Sequence, residues 1–174
     1  MAANSDPSAT PRRTDTKDPR RARRQAFKVL FQADVRGVEP SVIVEQLHTH
    51  PQFRALLTAI DEDTSGDDDT LDAFTHALVF GVEAKQDDLD VLIGQFAKEW
   101  QVLRMPVVDR TVLRLGVYEL AYEPTPTAVV ISEAVSLAKE FSTGKSSRYV
   151  NGVLAAIQTY LGDTPARSTS PVDE

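Results

Sequence analysis

Apolar residues recur at helical spacing along most of the chain, and no stretch keeps up a period-two alternation. From residue 18 to 35, Ala22, Ala26, Val29, Leu30 and Ala33 fall on one side of a helix, and Gly37 is a suitable stop. Ser41 is placed to cap a second helix, with Val42, Ile43, Val44 and Leu47 inward. Residues 70–86 repeat the pattern through Leu71, Phe74, Ala77, Leu78 and Val82. Residues 87–99 read as a separate helix through Leu89, Val91, Leu92 and Phe96, ending at Trp100. Pro106 sits where a helix can begin, and residues 107–122 are apolar around most of the circumference, the mark of a central helix. Pro124 and Pro126 end it. Thr127 is placed to cap a helix reaching Phe141, with Val130, Ala134, Leu137, Ala138 and Phe141 inward. Gly144 reads as a break. Ser146 or Ser147 then caps a last helix carrying Val150, Val153, Leu154, Ile157 and Leu161 inward. Gly152 and Ala156, four apart, leave room for a close helix contact. The pattern predicts an all-α, single-domain bundle of about seven helices with short connections.

The domain is expected over residues 18–162. Residues 1–17 and 163–174 lack periodicity and are expected to be disordered tails. No cysteine is present, so disulfide and thiolate chemistry are excluded. The first thirty residues lack the apolar run of a signal peptide, and no apolar stretch is long enough for a spanning helix. A cytoplasmic location is expected.

Charge changes the picture of the first helix. Residues 12–28 carry eight basic and two acidic side chains in a chain of net charge −7, leaving the remainder at −13. An acidic body repels a polyanion except near this segment. Arg20, Arg24, Phe27 and Phe31 fall opposite the apolar stripe, flanked by Arg23 and Lys28. Cations interleaved with rings suit single-stranded nucleic acid: the cations meet phosphates, and the rings and guanidinium planes stack on bases. A solvated basic tail or helix face accounts for the same residues.

Other motifs carry less. Residues 61–69, DEDTSGDDD, do not keep the spacing of a calcium loop, because the sixth position after Gly66 is Asp72 rather than Glu. Gly144-Lys145-Ser146 lacks the first glycine of a phosphate loop, Lys139 standing there, and follows a helix rather than a strand. A nucleotide hydrolase using Lys145 is therefore a remote rival. Lys145 and Arg148 still lie at a helix N-terminus, where they can add phosphate contacts. His48 and His50 point to different sides, and His76 is isolated in sequence. No nucleophile–base pair, cofactor motif or metal set stands out, and no enzymatic activity is expected. Asp109, Arg110, Arg114 and Glu119 interrupt the apolar central helix and call for internal ion pairs. Asn151 reads as a side chain holding a neighbouring loop by hydrogen bonding.

Three blocks in order, RRARRQAFKVLFQAD, VVDRTVLRLGVYEL and ISEAVSLAKEFSTGKSSRYVNGVL, resemble the transcription antitermination factor NusB family over residues 20–161. The last block is the most specific. The resemblance implies two packed three-helix subbundles. It implies binding of the single-stranded boxA element of ribosomal RNA leaders together with NusE, the small-subunit ribosomal protein, within a larger assembly of RNA polymerase and other Nus factors. Its basic N-terminus maps onto Arg20, Arg21, Arg23 and Arg24, and its helix-borne aromatic onto Phe31, which keeps a stacking ring without a phenol hydroxyl. Some members are dimers, so a homodimer stays open. The module also resembles the N-terminal part of certain ribosomal RNA cytosine methyltransferases, but the chain stops where their catalytic domain would begin. The expected RNA-contacting set is Arg20, Arg21, Arg23, Arg24, Lys28, Phe31, Lys145 and Arg148. Replacing the four arginines of the first helix by alanine is expected to weaken RNA binding and spare the fold. The rival reading is an all-helical protein-interaction scaffold without specific RNA binding.

Overall fold

The computed structural model describes residues 18–53 and 71–163. The expected tails and the acidic stretch 61–69 lie outside the described residues, apart from the end of the last helix. The described residues form six α-helices, α1 (Pro19–Arg36), α2 (Pro40–Thr49), α3 (Ala73–Phe96), α4 (Val107–Tyr122), α5 (Thr127–Phe141) and α6 (Gly144–Asp163), and no strand. Residues 51–53 are also helical, and Val102–Arg104 form a 3-10 turn.

Two subbundles share the long helix α3. In the first, α1 packs against α2, α3 and α4. In the second, α4 packs against α3, α5 and α6. The central position expected of α4 follows: every residue from Asp109 to Val117 is buried. Three of its four charges are paired as the sequence requires, while Asp109 Oδ1 is buried without a hydrogen-bond partner. Arg110 Nε donates to Asp34 Oδ2 at 2.7 Å, and its Nη1 donates to the carbonyl of Leu103 at 3.0 Å, tying the 3-10 turn to α1. Arg114 grips Asp90 through Nε and Nη2, both at 2.7 Å. Glu119 pairs with Arg23.

The ends of α1 follow from sequence. Asp18 Oδ1 accepts the N–H groups of Arg20 and Arg21 at 3.0 Å, Pro19 takes the first turn, and Gly37 closes the helix at φ 63°. Four other ends differ from expectation. Ser41 is not a cap: α2 starts at Pro40, and Ser41 gives its N–H and hydroxyl to Glu83 Oε1 on α3. α3 starts at Ala73 rather than at residue 70, and Asp72 caps it, accepting from Thr75 N at 2.7 Å. Thr127 lies inside α5, whose entry is set by the fixed backbone of Pro126. Gly144 is helical, and Thr143 Oγ1 accepts from Ser146 N at 3.3 Å, so Thr143 takes the capping role expected of the serines.

The helices predicted at 70–86 and 87–99 are one helix of 24 residues. The polar run 85–88 interrupts the apolar stripe because it faces solvent, and nothing in it breaks backbone hydrogen bonding. Past it the buried row is Leu89 and Ile93, while Val91 is 65% exposed. Val42 on α2 is likewise exposed, while Val44 is buried as expected. Gly152 and Ala156 are exposed and mediate no close contact. Close approach occurs at Gly116, where an added Cβ would lie 3.0 Å from Leu154 Cδ1 and 3.6 Å from Ala134 Cβ. Asn151 faces solvent rather than holding a loop. Among the described residues no helix is long and apolar enough to cross a membrane.

Candidate nucleic-acid interface

The N-terminal half of α1 lies against α5, and two carboxylates on α5 meet its arginines. Arg20 is exposed, and its Nε and Nη2 donate to Glu133 at 3.1–3.2 Å. The hydrogen bond and the charge of Glu133 raise its pKa further above the ordinary arginine value. Arg24 Nη2 donates to Glu140 Oε2 at 2.6 Å, with both side chains about one-third exposed. Arg21 is half-buried and has no ion-pair partner among the described residues.

Two members of the expected set are not on the surface. Arg23 is 4% exposed and donates through Nε and Nη2 to Glu119, while its Nη1 reaches the Pro19 carbonyl at 3.3 Å and its guanidinium covers the Phe74 ring. Lys28 is 5% exposed. For Arg23 the reason is its place on the wheel: it lies between the apolar stripe and the α5-facing side, where α4 presents Glu119.

The aromatic residues form a ladder from α1 to α5. Phe31 stacks on Phe27 at 5.8 Å between centroids, and Phe27 stacks on Phe141 at 4.7 Å. Phe27 is buried, so its ring serves packing rather than the surface. Phe31 is half-buried and is the ring of this ladder on α1 with an accessible portion. Phe141 is the last residue of α5, so its contact with Phe27 brings the α5–α6 corner beside α1. Lys145 and Arg148, in the first turns of α6, are exposed there. Neither has a carboxylate partner among the described residues, and Arg148 Nε reaches the Gly144 carbonyl at 3.4 Å. Ser146 Oγ is engaged with Ser142 and Thr143 at 2.8 and 3.2 Å, consistent with helix entry rather than a nucleotide loop.

Other chemistry is sparse. Among the described residues no group of three His, Asp or Glu side chains is placed to hold a metal ion. His76, isolated in sequence, stacks on His48 and on Phe80. Asp109 Oδ1, Thr111 Oγ1 and Tyr149 OH are buried without hydrogen-bond partners. Burial, then the charges of Glu99 and Asp109, raise the Tyr149 pKa.

The described residues thus carry a basic edge at the start of α1, a basic corner at the start of α6 and a ring ladder from α1 to α5. The sequence profile of the NusB family matches residues 20–159. The chain belongs to the NusB family. The transcription antitermination protein NusB of Streptomyces avermitilis is 41% identical over 138 residues, which cover 79% of this chain and 88% of that one. The solved NusB structure of T. maritima is 32% identical, covers 83% of this chain and 93% of its own, and superimposes with a TM-score of 0.61. A crystal structure of antitermination factors NusB and NusE in complex with double-stranded RNA is 27% identical, covers 81% of this chain and 96% of that one, and gives a TM-score of 0.63.

Within this NusB-family chain, sequence reasoning missed the carboxylates. Glu133 and Glu140 hold Arg20 and Arg24, yet nothing in the spacing of α5 singles them out from the chain's other acids. Phe141 was legible as an inward residue but not as the rung that joins α5 to Phe27.

Proposed function

We propose that this protein is a non-enzymatic, RNA-binding antitermination factor. It binds the single-stranded boxA element of ribosomal RNA leaders together with NusE, and acts in the cytoplasm with RNA polymerase and the other Nus factors. The observation that carries the reading is a set of cations, Arg21 at the start of α1 and Lys145 and Arg148 at the start of α6, that have no carboxylate partners among the described residues. With Arg20 and Arg24 they are cations in a chain of net charge −7. Family membership, and the relative solved with NusE and RNA, support it.

The proposed contact set is Arg20, Arg21, Arg24, Phe31, Lys145 and Arg148. Arg21, Lys145 and Arg148 meet phosphates directly. Arg20 and Arg24 exchange Glu133 and Glu140 for phosphate oxygens, a swap between anions that keeps each guanidinium paired. The accessible part of Phe31 stacks on a base. Arg23 acts one step back, fixing α1 against α4 through Glu119, and Lys28 is set aside by its burial. NusE engages a different surface, so two modest interfaces on one complex reinforce each other.

The test is a titration of a boxA-like single strand and a scrambled control, with and without NusE, at two ionic strengths. Preference for the boxA-like strand, tightened by NusE and weakened by salt, is expected. Partner binding that is indifferent to RNA would instead identify a protein-interaction scaffold.

A further inference from the structure

We propose that the cleft between the α1–α2 turn, α3 and α4 binds an alkylammonium group, the head of a lysine side chain or of a free aliphatic diamine. The cleft holds about 260 Å³ and continues past Val38, Glu39, Pro40 and Gln86 into an open trough. It lies at the C-terminal end of α1, the opposite end from the proposed RNA contacts at Arg20, Arg21 and Arg24.

Its deep wall presents acceptors. Thr111 is 2% exposed and lines the cleft, yet its Oγ1 has no hydrogen-bond partner. A helical threonine ordinarily spends that hydroxyl on a carbonyl one turn back, and a buried hydroxyl left unspent is disfavoured. Beside it, both ion pairs of Asp34 with α4, to Arg110 and to Arg114, fall on Oδ2. Gln86, exposed at the rim, also lines the cleft. The turn after α1 closes here with Gly37 N–H and Val38 N–H on the carbonyls of Asp34 and Ala33, so the negative end of a helix dipole faces the same space.

The remaining features select the ligand. Leu30, Ala33, Val38, Pro40 and Val82 give apolar walls suited to a methylene stem. Glu39, Glu83, Asp87 and Asp88 surround the opening and repel anions, against Lys85 alone among the cations of the trough. Arg114 also lines the cleft, but Asp90 and Asp34 already neutralise it. An apolar stem with a cationic donor at its tip matches this order of acceptors, apolar wall and acidic mouth.

The test uses the full-length protein and amide chemical-shift mapping. One arm adds 1,5-diaminopentane. A second adds a short glycine peptide with one central lysine, and a control peptide carries the same lysine acetylated. Saturable shifts at Gly37, Val38 and Thr111 are expected with the diamine or the lysine peptide and not with the acetylated one, and the tighter arm names the source. Thr111→Val, which removes the hydroxyl and keeps the volume, and Glu39→Gln, at the exposed mouth, are each expected to weaken binding about fivefold. Absence of shifts in both arms overturns the proposal. So do shifts confined to Asp87 and Asp88, or undiminished in Thr111→Val. The RNA titration reads the other end of α1, so either reading can fail while the other stands.

Discussion

Arg23 and Glu119 form a two-point ion pair between α1 and α4: Nε lies 2.8 and 3.0 Å from the two carboxylate oxygens, and Nη2 lies 2.7 Å from Oε2. Both side chains are almost fully buried. Breaking such a pair from one side leaves a desolvated charge behind. Glu119→Ala is therefore expected to destabilise the fold by about 3–5 kcal/mol. Replacing both partners, Arg23→Met with Glu119→Leu, is expected to recover most of that loss. Urea unfolding of the three proteins checks it. A single variant as stable as the parent would show that water reaches the pair. The same geometry revises the expectation that changing Arg20, Arg21, Arg23 and Arg24 together spares the fold, because Arg23 carries a structural cost that the other three do not.

Gly116 and Gly152 are expected to respond oppositely to alanine. Alanine is the better helix former by about 1 kcal/mol. Gly152 is exposed with nothing within 4 Å of an added Cβ, so Gly152→Ala should stabilise by roughly 0.5–1 kcal/mol. At Gly116 the Cβ would press on Leu154 Cδ1 and Cδ2 at 3.0 and 3.1 Å, where α4 meets α6. Leu154 is fully buried and has little room to turn. Overpacking of about 1–3 kcal/mol outweighs the propensity gain, and Gly116→Ala should lower the unfolding midpoint. Thermal denaturation of both variants decides the matter, and a stabilised Gly116→Ala would mean that Leu154 has another rotamer open to it.

These two glycines show what the sequence could and could not convey. Small residues four apart, Gly152 and Ala156, look like a close-packing device, but the pattern does not say which face meets a neighbour. Gly116 looks incidental within an apolar run, yet it is where three helices converge. The identity of α1, α2, α4, α5 and α6 was legible because their apolar rows are long and punctuated by Pro or Gly. The join within α3 was not, because a polar run on one exposed face resembles a loop when read in one dimension. The cationic segment was legible as composition. Its division into exposed Arg20, half-buried Arg21 and buried Arg23 depends on Glu119, nearly a hundred residues away, which local spacing cannot reveal.

Glu123, at the C-terminal end of α4, provides a pH signature. Burial raises its pKa and the neighbouring Glu119 charge adds to this, while a hydrogen bond from Tyr118 pulls the other way. A carboxyl whose folded pKa exceeds its unfolded one favours folding fully below the unfolded value, and that contribution is lost as pH rises through the folded value. Stability from this group therefore falls with rising pH just above the ordinary carboxylate range. Glu123→Gln removes the titration. The difference in unfolding midpoint between parent and variant, followed from acid to neutral pH, is expected to change in this window in favour of the variant. A flat difference would assign the raised pKa no role in folding. Tyr118, whose own pKa is raised by burial and then by Glu123, should shift back toward the ordinary tyrosine value in the same variant.

The carboxylates on α5 make the RNA reading quantitative. Glu133 and Glu140 compete with phosphate for Arg20 and Arg24. Solvent and salt screen exposed pairs of this kind, so each opposes phosphate only weakly. Glu133→Gln with Glu140→Gln is thus expected to tighten binding of a boxA-like strand by a few-fold at fixed salt. In the parent, log affinity should fall with log salt at a slope of roughly −3 to −4 if Arg20, Arg21, Arg24, Lys145 and Arg148 neutralise phosphates. The double variant should show a slope at least as steep, because its arginines no longer carry an internal counter-charge. Arg21→Ala, which breaks no ion pair, should weaken binding and flatten the slope by less than one unit, about 0.7. Fluorescence anisotropy across a salt series measures all three. Unchanged affinity in the double variant would place Arg20 and Arg24 in the α1–α5 joint alone and leave Arg21, Lys145 and Arg148 to hold the RNA.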